Sequence, residues 1–123
     1  INQEFYGPPT DLPWGVFIDE SHRLIGFKEM SHYHPLFFYN ILWNFVVMAV
    51  LLWVHKKHPK WIQTKSLFLV YLLLFTGGYF VLELLRLDVS LVAGININQL
   101  FALLIGVFAG ANLLWQQRLR NRI

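Results

Sequence analysis

Cysteine is absent from the 123 residues. That excludes a disulfide framework and a thiolate metal site, and it leaves any enzyme built on this chain without a thiol nucleophile of its own. Charge is scarce as well: Asp, Glu, Lys and Arg make up 14% of the chain, where a water-soluble domain carries roughly a quarter. There is no Gly-x-Ser-x-Gly elbow and no glycine-rich phosphate loop. The chain opens on Ile1, with no basic region and cleavage site behind it. It therefore lacks a signal-peptide pattern and reads as a fragment or processed product of a longer protein.

Apolar residues dominate, at 56%. They gather in three runs, residues 36–54, 66–85 and 95–115, each close to the roughly 20 helical residues that cross a hydrocarbon core. A soluble three-helix bundle is excluded because residues 45–54 and 67–75 have no polar face at helical spacing. Inside lipid each run must satisfy its own backbone, so each is predicted to be a helix. The fold class expected is all-α integral membrane: three transmembrane helices (35–123) preceded by an interfacial segment (1–34). Gly15-Val16-Phe17-Ile18 and Leu24-Ile25-Gly26-Phe27 in that segment read as a short hairpin.

Charge placement predicts the orientation. Seven of the ten Lys and Arg residues fall in residues 55–65 and in 118–122 within the tail 116–123. Both segments abut apolar runs, and three spans put them on one side, the cytoplasmic one by the positive-inside rule. Residues 1–34 and 86–94 then face outward. Trp53, Trp61 and Trp115 mark one interface, and Tyr33, Phe37, Phe38 and Tyr39 the other. A basic chain also raises the question of nucleic acid, which this membrane-flanking distribution argues against.

Ionisable groups inside spans are costly and often functional. Glu83 lies about one turn from the outer end of the second run, with Arg86 three residues on and Tyr79 one turn further in. Gly77-Gly78 beside them permits close approach. One reading is an outer-interface pocket in which Arg86 holds a lipid phosphate and Glu83 orients it or moves a proton. The other is a helix-end ion pair that snorkels to water. His34-Pro35 opens the first run, so His34 is either a general base at the interface or a helix-start residue. His32 and His34 have no third metal ligand near in sequence. Gln99 stands where it can reach the pocket, and Asn98 is placed to cap the third helix. Asn44 and Asn112 are expected to bond between helices, and Gly106 and Gly110 to pack them.

The opening Ile1-Asn2-Gln3-Glu4-Phe5-Tyr6-Gly7 resembles the end of the G-R-x-G-N-F-x-N-x-E-x-x-G signature of prolipoprotein diacylglyceryl transferases, with Asn2, Glu4 and Gly7 in place. Pro13-Trp14-Gly15, His34-Pro35 before a span, Glu83-Leu84-Leu85-Arg86 and Asn98-Gln99 resemble the family in the same order. The resemblance covers nearly the whole chain, as the C-terminal part of a family member. It implies a bacterial inner-membrane enzyme that moves a diacylglyceryl group from phosphatidylglycerol to the lipobox cysteine of a prolipoprotein signal peptide, without a cofactor or metal. By resemblance Glu4, His34 and Glu83 are catalytic candidates; Arg86, Asn2, Tyr79 and Gln99 are candidates for binding substrate. Three positions depart from the family pattern: Tyr79 stands where an arginine is usual, Phe75 where a tyrosine is usual, and Asn40 where a glutamate is common. A tyrosine supplies no fixed positive charge, so the departures leave open a non-catalytic relative that binds lipid or packs on a partner helix.

Overall fold

The computed structural model describes residues 3–61 and 65–122. Asn2 and the side chain of Trp61 lie outside the described residues. Three long helices dominate: α1 (Leu36–Lys57), α2 (Ser66–Leu85) and α3 (Ile97–Arg120), each long and apolar enough to cross a membrane. At 1.5 Å per residue they extend about 30–36 Å, enough for a hydrocarbon core of about 30 Å.

The helix ends follow from local chemistry. Pro35 precedes α1, where a missing N–H costs nothing, and its carbonyl accepts from Phe38 at 2.9 Å and Tyr39 at 3.1 Å. α1 closes on His55, Lys56 and Lys57, cations that suit the negative end of the helix dipole, and Pro59 lies just beyond. α3 is capped by Asn96, whose side chain accepts from the Gln99 N–H at 3.2 Å. The cap is thus Asn96 and not Asn98, and the third helix begins two residues later than the apolar run.

α2 lies between its neighbours and packs on both. Toward α3 small residues allow close approach. A methyl group on Gly106 would lie 3.0 Å from Thr76 Oγ1, and one on Gly110 would touch Leu73. Leu69, Ala109 and Leu113 form a buried cluster below them, and the Ser66 hydroxyl donates to Gln116 Oε1. Toward α1, Trp43 Nε1 donates to the Leu74 carbonyl at 3.0 Å. Its indole occupies the space a side chain at Gly78 would need. Among the described residues, Asn44 and Asn112 do not bond between helices. Each donates to the carbonyl four residues earlier in its own helix, Asn40 at 2.8 Å and Phe108 at 2.9 Å, the local alternative open to a short amide side chain.

The N-terminal segment folds over the end of the helices where α1 and α3 begin and α2 ends. Strand β1 (Val16–Phe17) pairs antiparallel with β2 (His32–Tyr33). The return strand is therefore residues 32–33 and not 24–27. Residues 24–27 form a turn closed by Phe27 N–H to Leu24 O at 3.0 Å, with Gly26 at φ +96° and Ile25 94% exposed. The residue that fills the core is Tyr33. It is fully buried against Tyr6 and Ile18, its ring 4.9 Å from that of Tyr6, so it sits in the small core and not in an interfacial belt. Its hydroxyl donates to the carbonyls of Phe27 and Met30. Between the strands, Glu20–His22 form a short 3-10 turn. A second hairpin, β3 (Leu91–Val92) with β4 (Ile95–Asn96), connects α2 to α3. Ala93 and Gly94 at its tip both have positive φ, as a tight two-residue turn requires.

Two outcomes follow. Gly78→Ala forces Trp43 out of its place and is expected to lower stability by about 1–3 kcal/mol, while Gly77→Ala, with nothing within 4 Å of the added methyl, leaves thermal unfolding in detergent nearly unchanged. Burial raises the Tyr33 hydroxyl above its ordinary value of 10.0. A raised folded value means that the stability Tyr33 contributes is complete below pH 10 and is lost as pH climbs through the folded value. Near-UV circular dichroism should record this alkaline loosening, and Tyr33→Phe should remove it.

Candidate functional site

Glu83 occupies the last turn of α2, 2% exposed. A carboxylate taken out of water needs compensating partners, and they come from the α2–α3 connection. Asn98 Nδ2 donates to Glu83 Oε1 at 3.0 Å, and Asn96 Nδ2 approaches the same oxygen at 3.4 Å. Arg86 Nη1 lies 3.5 Å from Oε2. Asn96 works at both ends: its oxygen caps α3 while its amide nitrogen faces the carboxylate. The start of α3 and the end of α2 are thereby fixed by one set of hydrogen bonds.

Arg86 is the first residue past α2, in extended conformation. Its guanidinium lies 5.7 Å above the Phe5 ring, within cation–π range. The side chain keeps 25% of its surface exposed, and its buried Nε has no hydrogen-bond partner among the described residues. Glu83 faces the Nη1 edge of the fork.

A second cluster lies at the start of α1. His34 Nδ1 is 2.8 Å from the Tyr39 hydroxyl, which also accepts from Trp14 Nε1 at 3.0 Å. The strip 5–7 bridges the two clusters. The Phe5 carbonyl accepts from the Phe37 N–H at 3.3 Å, and the Gly7 N–H donates to the His34 carbonyl at 2.8 Å. Gly7 is closely packed there: a Cβ would lie 3.1 Å from both His34 and Leu36.

The other candidates stand differently. Glu4 is exposed and has no hydrogen-bond or ion-pair partner among the described residues; it lines a cavity of about 160 Å³ with Phe5, Tyr6, Ile18 and Phe37. Neither His34, Glu83 nor Arg86 lines that cavity. Tyr79 stacks on Phe75, rings 6.4 Å apart, in an aromatic column that continues to Tyr71. No hydrogen bond or ion pair joins it to Glu83 or Arg86 among the described residues. Gln99 engages through its backbone N–H, and its side chain has no hydrogen-bond partner among the described residues. An apolar groove of about 420 Å³ runs from Tyr39 past Trp43 along Gly77, Gly78 and Val81. Three contacts are not visible in the sequence: Asn96 and Asn98 on Glu83, Phe5 beneath Arg86, and Trp14 on Tyr39. The one indirect sign of the first is Asn96-x-Asn98 directly after a positive-φ turn. The other two join residues far apart in sequence and leave none.

Membrane-length helices with a buried, hydrogen-bonded acid ion-paired to a partly exposed guanidinium at one end define a multi-pass integral membrane protein with a polar cluster at a helix terminus. Comparison with known sequences narrows the class. The family model described as prolipoprotein diacylglyceryl transferase matches residues 1–115, and the chain belongs to that family. It is 41% identical over 112 residues to phosphatidylglycerol–prolipoprotein diacylglyceryl transferase 2 of Streptomyces coelicolor, covering 90% of this chain and 34% of that protein. The transferase of Gloeobacter violaceus is 41% identical over 115 residues (94% and 42%), and that of Cutibacterium acnes 40% identical over 112 (90% and 36%). The chain thus spans well under half the length of these relatives. No solved structure matches it.

The Glu83 cluster predicts a graded response. Asn98→Ala leaves one carboxylate oxygen short of a donor and should cost about 1–3 kcal/mol. Asn98→Asp sets a second carboxylate against the first and should cost more. Thermal unfolding in detergent at neutral pH measures both. Equal stability of Asn98→Asp and wild type would show that Glu83 does not depend on this donor.

Proposed function

We propose that the protein takes part in transfer of a diacylglyceryl group from phosphatidylglycerol to the lipobox cysteine of prolipoproteins. Family membership supports this, as do the names of relatives at 40–41% identity, each a phosphatidylglycerol–prolipoprotein diacylglyceryl transferase. In this reaction the peptide sulfur forms a bond to the lipid's glyceryl carbon. The carbon–oxygen bond to phosphate breaks, a glycerophosphate anion departs, and the thiol loses its proton. A chain without cysteine suits it, because the substrate brings the nucleophile.

The observation that carries the reading is Arg86: tethered to Glu83, stacked on Phe5, and still a quarter exposed. It would hold the lipid phosphate and the charge that grows there as the bond breaks. Glu83 would fix the guanidinium. The thiol proton would pass to His34 or to Glu4, which is exposed and unpaired. The Tyr39–Trp43 groove is the right kind of surface for an acyl chain. Asn2, Tyr79 and Gln99 remain substrate-binding candidates by resemblance. The basic segments at 55–65 and 118–122 would face the cytoplasm, and the N-terminal segment the outer face of a bacterial inner membrane, with 1–34 as its interfacial unit and 35–123 as its span unit.

One observation favours a second reading. Tyr79 stands where the family usually has an arginine, and its ring is engaged in an aromatic column, which fits a relative that binds lipid without transferring it. Thioether lipid transfer to a lipobox peptide, measured in phosphatidylglycerol vesicles on the protein as its gene encodes it, decides. Arg86→Ala is expected to lose about a hundredfold or more, and Glu83→Gln a smaller but clear factor. Phosphatidylglycerol binding without any transfer by the folded protein would favour the second reading, and unchanged transfer in both variants would remove the site assignment.

A further inference from the structure

Tyr39 is a hydrogen-bond hub with one proton to give. Its oxygen accepts from Trp14 Nε1 at 3.0 Å, and the same oxygen lies 2.8 Å from His34 Nδ1. Indole nitrogen only donates, so the direction of the first bond is fixed by chemistry. The second could run either way. If His34 Nδ1 carried the proton, the phenol oxygen would accept twice and its own proton would have no acceptor among the described residues. If Tyr39 donates to Nδ1, both bonds in the chain of three have one donor and one acceptor, and the phenol proton is used. The second arrangement therefore has the lower energy.

We infer that Trp14, through Tyr39, holds neutral His34 in the tautomer whose proton is on Nε2, so that His34 meets substrate as a hydrogen-bond donor and not as the base that takes the thiol proton. The proton-free nitrogen is the one already occupied by Tyr39. The nitrogen without a partner among the described residues, Nε2, bears hydrogen. To accept a proton there, His34 would have to move its own proton to Nδ1 and displace the Tyr39 hydroxyl, against the Trp14 bond. A donor at this place suits an anionic oxygen, such as a phosphate or ester oxygen of the lipid headgroup. Trp14 is a positioning residue in this scheme. It is three bonds removed from substrate and acts only by fixing which way Tyr39 donates. The segment that carries it is anchored by β1–β2 pairing and by the Gly15 N–H to Leu12 carbonyl bond at 2.9 Å, so the indole is held by a folded unit and not by a free loop.

The inference rests on the proposed function only for what His34 touches; the tautomer itself can be read without any activity. In protein carrying ¹⁵N-histidine, in phosphatidylglycerol nanodiscs at about pH 8 where histidine is neutral, the His34 resonances, assigned by their loss in His34→Gln, should mark Nε2 as protonated and Nδ1 as bare. Trp14→Phe, which keeps the ring and removes the donor, should shift the signal toward a mixture with the Nδ1-protonated form. A wild-type His34 protonated at Nδ1 overturns the inference, and so does an unchanged tautomer in folded Trp14→Phe. If Trp14→Phe does not fold, the wild-type spectrum and Tyr39→Phe still decide, since loss of the hydroxyl must alter the Nδ1 signal.

Transfer assays add a second arm. A glutamine amide can donate where Nε2–H does but cannot serve as a base. Transfer by His34→Gln should therefore stay well above that of His34→Ala. A loss in both of the hundredfold or more typical of a missing general base overturns the donor role. The predicted tautomer together with undiminished transfer in both variants would instead uphold the Trp14–Tyr39 relay and remove His34 from the proposed site.

Discussion

A carboxylate buried at the end of a membrane-length helix is the constraint around which the rest is arranged. Glu83 is nearly inaccessible, and an acid in that position is tolerable only with donors at hand. Arg86 supplies one from the residue just past α2, and Asn96 and Asn98 supply two from the start of α3. Meeting that need dictates the tight hairpin between α2 and α3, the position of the α3 cap, and the presentation of the guanidinium. The small-residue contacts further down, Gly106 on Thr76 and Gly110 near Leu73, keep α3 close enough along its length for the asparagines to arrive.

The N-terminal segment completes this end of the bundle and does not merely cover it. Phe5 provides the ring beneath Arg86, and its carbonyl binds the first turn of α1. Gly7 binds the His34 carbonyl, and Trp14 reaches Tyr39. The two clusters, Glu83–Arg86 and His34–Tyr39, belong to different helices. They are placed relative to one another by a strip of backbone that packs closely at Gly7. A small core of Tyr6, Ile18 and Tyr33, joined by Val16 and Leu87, ties that strip to the segment's own fold and to the residue after Arg86.

The helices were legible in the sequence because their signal is long and redundant: about twenty apolar residues in a row have one backbone solution in lipid. Glu83 and Arg86 were legible because charge inside such a run is rare enough to stand out. The failures are equally physical. The return strand is not legible because Leu24-Ile25-Gly26-Phe27 is apolar, while the residue that fills the core is Tyr33, whose hydroxyl bonds to carbonyls of the loop just before it. Asn98 was read as a cap because asparagine before a helix usually caps, yet the pull of a buried carboxylate assigned that task to Asn96. Asn44 and Asn112 were read as bridging helices, but an amide one turn from a backbone carbonyl finds it first. Trp14 and Phe5 gave no local sign of their roles, since the partners lie 25 and 81 residues away.

Central to the proposed function is an anionic lipid headgroup held by Arg86. The most direct measurement is a solid-state NMR distance between ¹⁵N in the Arg86 guanidinium and ³¹P of phosphatidylglycerol in bilayers. The account predicts strong ³¹P dephasing of the Arg86 signal, weakened when Glu83→Gln frees the side chain. An Arg86 resonance that senses only acyl carbons or water, with no phosphorus nearby, would contradict it.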